Sequence, residues 1–200
     1  MGLTILYEDG QTPLDDDEKE GLLIPAITTR GELDELEQRN IEEAVRWTIE
    51  RRRRFTTSEI LTEQFICGLH KRMLSSVWKW AGTFRTSNKN IGVDKYQVAT
   101  ELRMLVDDCN FWIENNTFSP DEIAIRFKHR IVSIHCFSNG NGRHSRLMAD
   151  IIIEKIFHNN FFTWGGNHQL STGEFRAKYL SALRQADKGN YASLIEFARS

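Results

Sequence analysis

His135-Cys136-Phe137-Ser138-Asn139-Gly140-Asn141-Gly142-Arg143-His144-Ser145-Arg146 is a glycine-rich joint between two helical patterns. Upstream, from Pro120 to about Ile134, the residues Ile123, Phe127, Ile131 and Ile134 recur on one helical face. Downstream, a second helix is expected from about Gly142 to His158. Working outward, the chain repeats one helix-start signature, a Ser or Thr followed three residues later by Glu, whose side chains satisfy free backbone donors reciprocally. It occurs at Thr29/Glu32, Thr56/Glu59, Ser119/Glu122 (with Pro120 at the first helical position) and Ser171/Glu174. The first opens a helix of about twenty residues carrying Leu33, Leu36, Ile41, Ala44, Val45 and Ile49, with Arg51 to Arg54 near its C-terminal end. A second is expected from about Glu59 to Trp80, stopped by Ala81-Gly82, and a third from about Lys95 to Glu114. Two more cover about Gly173 to Ala186 and Tyr191 to Ala198. Strand character is confined to Thr83 through Val93, which reads as a small hairpin around a polar centre. The fold class is all-α.

Composition bounds the rest. With 200 residues, 40% apolar and 27% charged, the chain has the make-up of one globular domain. Its apolar runs, such as Ile151-Ile152-Ile153, are far short of the ~18 residues of a membrane span. The N-terminus lacks the basic start and apolar stretch of a secretory signal, so a cytoplasmic location is expected. Cys67, Cys109 and Cys136 lie far apart, which argues against a disulfide framework or zinc site. The first twenty residues hold seven acids against Lys19, and residues 1–28 contain Gly10, Pro13, Gly21 and Pro25. They read as an acidic extended arm ahead of a single helical domain at 29–200. Taking the first twenty residues' −6 from the net −2 leaves +4 for the remainder, a mild excess suited to a phosphorylated small molecule rather than to nucleic acid.

The opening stretch carries chemistry. Gly140 and Gly142 permit positive φ and close approach, so that backbone N–H groups can turn inward around an anion. The helix that starts there adds its positive dipole end. Arg143 and Arg146, three apart, project from one side toward phosphate oxygens, and His135 stands where an imidazole can take a proton from an attacking hydroxyl. Phe137 is expected to point into the core. The plain alternative is a structural turn with a packed histidine and two surface arginines. Base, glycines, helix start and paired arginines within twelve residues favour a functional site.

The same residues resemble the signature of the Fic family, His-Pro-Phe-x-(Asp/Glu)-Gly-Asn-Gly-Arg-x-x-Arg, matching at the His, the Phe, the Gly-Asn-Gly-Arg run and the final Arg. Leu69-His70-Lys71 through Trp80-Ala81-Gly82-Thr83-Phe84-Arg85 is similar to the family's helix and Trp-Ala-Gly-x-x-Arg segment, and the likeness extends over roughly residues 30 to 198. The arm leading into Ile27-Thr28-Thr29-Arg30-Gly31-Glu32-Leu33, together with Asn139 to Gly142, resembles the bacterial subgroup called mobile mystery protein B. The resemblance implies a Fic-type helical bundle with a β-hairpin flap beside the active-site loop. It implies transfer of AMP from ATP, with Mg²⁺ or Mn²⁺, to a Ser, Thr or Tyr hydroxyl of a protein, releasing pyrophosphate. His135 would be the general base, Gly140, Asn141 and Gly142 the anion hole, and Arg143 and Arg146 the phosphate partners. Thr86, Asn88, Lys89, Asn90 and Ile91 would form the flap that docks a target by strand addition. Lys89 and Asn90 otherwise form a solvated tip.

Two positions depart from the signature. Cys136 replaces Pro and is expected to be a buried thiol. Asn139 replaces the acid that helps to hold Mg²⁺, leaving a neutral oxygen and admitting weaker transfer, another phosphate-containing donor, or a nucleotide-binding regulatory module without turnover. The family's inhibitory (Ser/Thr)-x-x-x-Glu-(Gly/Asn) pattern has no convincing counterpart. Thr28 to Glu32 has the spacing but is followed by Leu33, and Glu196 lacks a Ser or Thr four residues earlier. Control by a partner protein stays open. His70, His129, His144, His158 and His168 read as packed or surface residues, the five tryptophans as core, and Arg51 to Arg54 as a solvated face.

Overall fold

The computed structural model describes residues 19–27, 29–50, 54–166 and 172–200. Helix α1 spans Arg30–Val45, and the chain continues to Glu50 as a π-helical turn. Thr29 caps α1 as its spacing predicts: its hydroxyl accepts the Glu32 N–H, and the Glu32 carboxylate accepts the Thr29 N–H. Such a cap is worth ~1 kcal/mol. Glu32 is thereby accounted for by capping.

The helix expected over 59–80 is two shorter ones, α2 (Thr57–Ile60) and α3 (Glu63–Leu74). Leu61 leaves helical geometry (ψ 64), and Thr62 starts a new helix by accepting the Phe65 N–H at 3.1 Å. No Glu stands three residues after Thr62, so this second start lacks the Ser/Thr-to-Glu signature. Helix α4 spans Val98–Glu114, α5 Pro120–Ile134 and α6 Asn141–Ile151, the last extended by a π-helical turn to Ile156. Helices α7 (Thr172–Ala186) and α8 (Ala192–Arg199) follow. The cap expected at Ser171 and the residues Arg51 to Arg53 and His168 lie outside the described residues, as does most of the arm. Of the arm, Leu22 pairs with Trp78 in an isolated bridge and Ile27 is buried.

α5 is the central element. It buries Ile123, Ala124, Ile125, Phe127, Ile131 and Ile134, with α4 and α6 packed along it. α1 lies against α3, and α7 pairs with α8. Fully burying side chains of this kind contributes roughly 1.5–3 kcal/mol each, the main force holding α5 and α6 in register. α5 also buries Lys128, whose Nζ donates to Tyr179 Oη at 2.6 Å and whose pKa burial brings down to about 7.

The hairpin expected near Thr86 to Val93 is a loop; among the described residues no strand pairing forms there. Its two ends bond to the active stretch instead of to each other, Arg85 N–H to the Cys136 carbonyl at 3.0 Å and Val93 N–H to the Ile134 carbonyl at 3.3 Å. The buried Arg85 guanidinium completes the tie by donating to the carbonyls of Ser87, Val93 and His135. Donors that a hairpin would use across the strands are spent on the 134–136 backbone.

Candidate active site

α5 ends on His135, which adopts left-handed backbone geometry (φ 58, ψ 61) and turns the chain sharply toward the glycine loop. Its carbonyl accepts the Arg85 Nε–H at 2.6 Å. The loop 86–93 closes against it through Gly92 (φ 102), where an added Cβ would meet His135 Cβ at 2.7 Å. Glycine at this place is what lets the loop approach the histidine. Burial, helped by the positive charges of Arg85 and Lys89, lowers the His135 pKa to about 4, with the Val132 carbonyl acting the other way. The ring is therefore neutral near pH 7, the form in which it accepts a proton.

Phe137 is fully buried, as expected, and its backbone is clamped by Asn141: Asn141 Oδ1 accepts the Phe137 N–H at 3.0 Å, and Nδ2 donates to the Phe137 carbonyl at 2.7 Å. The Asn141 side chain thus braces the loop. α6 begins at Asn141 after Gly140 in left-handed geometry (φ 76, ψ 0). The first intrahelical donor is His144, bonding to the Gly140 carbonyl at 2.9 Å. The amides of Asn141, Gly142 and Arg143 precede it, as at any helix start. Gly140 and Gly142 differ in kind. At Gly140 a Cβ would strike Leu74 Cδ1 at 2.7 Å, whereas at Gly142 it would meet nothing within 4 Å. Chain packing requires the first glycine and leaves open space at the second.

Arg143 is paired: its Nη1 lies 2.5 Å from Glu37 Oε2, a buried carboxylate of α1. Arg146 makes no ion pair among the described residues, and its charge is felt by Lys128, Asp150 and Tyr179. Asn139 curls back on the loop, its Oδ1 accepting the Gly140 N–H at 2.6 Å. Cys136 is buried, which pushes its thiol up to about 12, so the inert-thiol expectation holds. In the loop 86–93, Asn88 is spent internally, donating to Asp94 and accepting the Lys95 N–H. Thr86, Asn90 and Ile91 are exposed, Ile91 by 61%, and Lys89 is half-buried.

Three contributors escape the sequence reading. His70, read as a packed histidine, is packed, and it also holds the loop: Nδ1 accepts the Gly82 N–H and Nε2 faces the Asn139 carbonyl. Arg85 ties loop to histidine. Glu37 occupies the same helical register as Leu33 and Ile41, and an acid in an apolar stripe was the available signal. His144 and His129 are packed as expected, the first on the Ile66 carbonyl and the second on Asp187.

The fold and this loop define a class: helical bundles in which a glycine-rich joint ends one helix on a left-handed histidine and starts the next with two arginines. Residues 60–153 match the model of the Fic/DOC family. The protein adenylyltransferase Fic of Aedes aegypti is 26% identical over 144 residues, 70% of this chain and 27% of that protein. Protein adenylyltransferase fic-1 of Caenorhabditis elegans is 26% identical over 140 residues, 66% of this chain and 25% of that protein. The chain thus spans about a quarter of the length of these curated relatives. Among solved structures, C. elegans Fic-1 superposes with a TM-score of 0.63 at 21% identity, covering 89% of this chain and 50% of that one. BepC of Bartonella tribocorum, solved with bound AMPPNP, gives a TM-score of 0.65 at 16% identity, covering 92% of this chain and 97% of that one. The shared all-α fold extends beyond the matched segment. No helix among the described residues is long and apolar enough to cross a membrane.

Proposed function

We propose that this chain is a protein adenylyltransferase that moves AMP from ATP to a Ser, Thr or Tyr hydroxyl of a target protein. The observation that carries the reading is the junction itself: a neutral, half-buried His135 adjoins a helix start with free amides, open space before Gly142, and Arg143 and Arg146 on its first two turns. In the reaction, the target hydroxyl oxygen attacks the α-phosphorus, His135 takes the hydroxyl proton, and the bond from α-phosphorus to the bridging oxygen breaks to release pyrophosphate. Backbone amides of residues 141–143 stabilise the charge on the phosphoryl oxygens, and the arginines bind the phosphates beyond. Curated relatives named protein adenylyltransferase support the chemistry, and the AMPPNP bound to BepC supports a nucleoside triphosphate in such a fold. The exposed tip of the loop 86–93, with Thr86, Asn90 and Ile91, is the target-docking edge. A bacterial cytoplasm is the proposed setting.

The loop offers one oxygen at the position where the family has an acid, and that oxygen is neutral and already accepts the Gly140 N–H. Mg²⁺ sites usually combine carboxylates with substrate phosphates, so these residues do not fit a protein-held Mg²⁺. The proposed transfer step relies on no metal held by these side chains. Asn139 also favours a second reading, a nucleotide-binding regulatory module without turnover or a transferase using another phosphate-containing donor. Incubation with α-labelled ATP, and with bacterial lysate as a source of targets, separates these readings. Label on protein, absent with His135→Ala, supports transfer. ATP binding without label on any protein under Mg²⁺ or Mn²⁺ supports the second reading.

A further inference from the structure

Glu37 lies on α1, outside the segment 60–153 that carries the family match. It is almost fully buried, yet its two oxygens are not equivalent. Oε1 accepts the indole N–H of Trp78 at 2.5 Å, and Trp78 is itself buried and stacked on Trp80 at 4.9 Å between ring centroids. Oε2 faces Arg143 Nη1 at 2.5 Å and has no other partner among the described residues. A carboxylate fixed at one oxygen by the core cannot swing with solvent, so the second oxygen is a stationary anchor. A guanidinium has five N–H donors, and pairing one edge leaves others directed elsewhere. Arg143 remains partly exposed, with 29% of its side chain accessible.

We propose that Glu37 is a positioning residue for Arg143. α1 holds the first arginine of the loop in one orientation, so that its remaining donors bind a phosphoryl group without first being ordered. The inference rests on the nucleotide reading of the site. Its physical basis is the removal of side-chain entropy before binding, which strengthens an interaction without adding a contact to the ligand. The same atoms define the opposite outcome: if phosphate must displace Glu37 from Arg143, the carboxylate opposes binding. Anchorage by Trp78 from within the core favours support over competition.

Glu37→Gln keeps the size and the oxygen that accepts the Trp78 N–H while removing the charge. Calorimetry with inorganic pyrophosphate and with ATP on the full chain, alone and in the Arg143→Ala background, reads the coupling. The expected result is roughly tenfold weaker binding of both probes in Glu37→Gln and no further weakening when Arg143 is already Ala. In transfer assays the KM for ATP rises more than kcat falls. Tighter binding in Glu37→Gln overturns the proposal in favour of competition. Equal binding, or the same loss in both backgrounds, overturns it as well, because the effect then does not pass through Arg143. If Glu37→Gln does not fold, Trp78→Phe frees the anchor while keeping the carboxylate, and it should weaken binding in the same direction. Wild-type protein that binds pyrophosphate but transfers nothing refutes the transferase reading and leaves this test intact. Protein that binds neither probe refutes both.

Discussion

His70 Nε2 lies 3.0 Å from the carbonyl oxygen of Asn139, across 69 residues of sequence. Because the Gly82 N–H donates to Nδ1 at 2.9 Å, the proton of the neutral ring sits on Nε2 and is donated to Asn139. The ring also stacks on Phe137 with 3.7 Å between centroids. Burial foremost keeps its pKa well below the usual histidine range, so this bridge is uncharged at all physiological pH values. One side chain therefore joins the turn after α3 to the loop that opens α6. His70→Ala removes both bonds and the stack. It should lower stability by roughly 3 kcal/mol and slow transfer, checked by denaturant unfolding and by assays at a temperature where the variant is folded.

Replacing His135 tests the base. His135→Ala should reduce transfer on the order of 10²- to 10⁴-fold while ATP affinity stays within a few-fold, since the ring acts on the incoming hydroxyl. Wild-type transfer by this variant would refute the assignment. The pH profile is a second check. With the folded-state pKa lowered to about 4, the ring keeps its accepting form until pH falls that far. The acid limb of kcat/KM should accordingly lie near pH 4, not near 6.5.

The two loop glycines should respond oppositely. Gly140→Ala forces a Cβ into left-handed backbone and into Leu74, at a cost of roughly 2 kcal/mol. Gly142→Ala adds a methyl to open space within a helix and should stabilise by about 0.5 kcal/mol, yet obstruct the approach of phosphate. Thermal unfolding and ATP titration of both variants check the contrast. A Gly142→Ala protein that binds ATP normally would place the nucleotide elsewhere.

Asn139→Asp restores the charge that the family signature has at this position, with little change in size. The added carboxylate should make transfer depend more steeply on Mg²⁺ and raise its rate. Assays across a Mg²⁺ titration in both forms decide it. Slower transfer than wild type at every metal concentration would mean that the loop is adapted to a donor that does not call for metal here.

Under the proposed function, Arg146, which makes no ion pair among the described residues, is the partner of the terminal phosphates. Arg146→Ala should weaken ATP much more than AMP, by roughly tenfold or more for a lost charge-assisted contact. Calorimetry with the two nucleotides reads this directly, and equal losses would contradict the placement.

The local content of this protein was legible in its sequence because it depends on neighbours in the chain. Helix starts at Thr29, Thr56 and Ser119 follow from side chains three residues away, and the stripe Ile123, Phe127, Ile131, Ile134 declares the buried face of α5. The order histidine, glycines, arginines likewise follows from covalent succession, so the family resemblance and the candidate base were readable from twelve residues. What the tertiary structure alone decided are relationships across long separations. Whether residues 86–93 pair as a hairpin depended on Arg85 finding carbonyls at His135 and Val93, and the 134–136 backbone took the bonds. Which arginine is anchored depended on α1 packing over α3, which brings Glu37 to Arg143 across 106 positions. Periodicity says that a residue is buried, but only packing selects the partner that a buried charge must have, because many pairings satisfy the same pattern and few satisfy every buried polar atom at once.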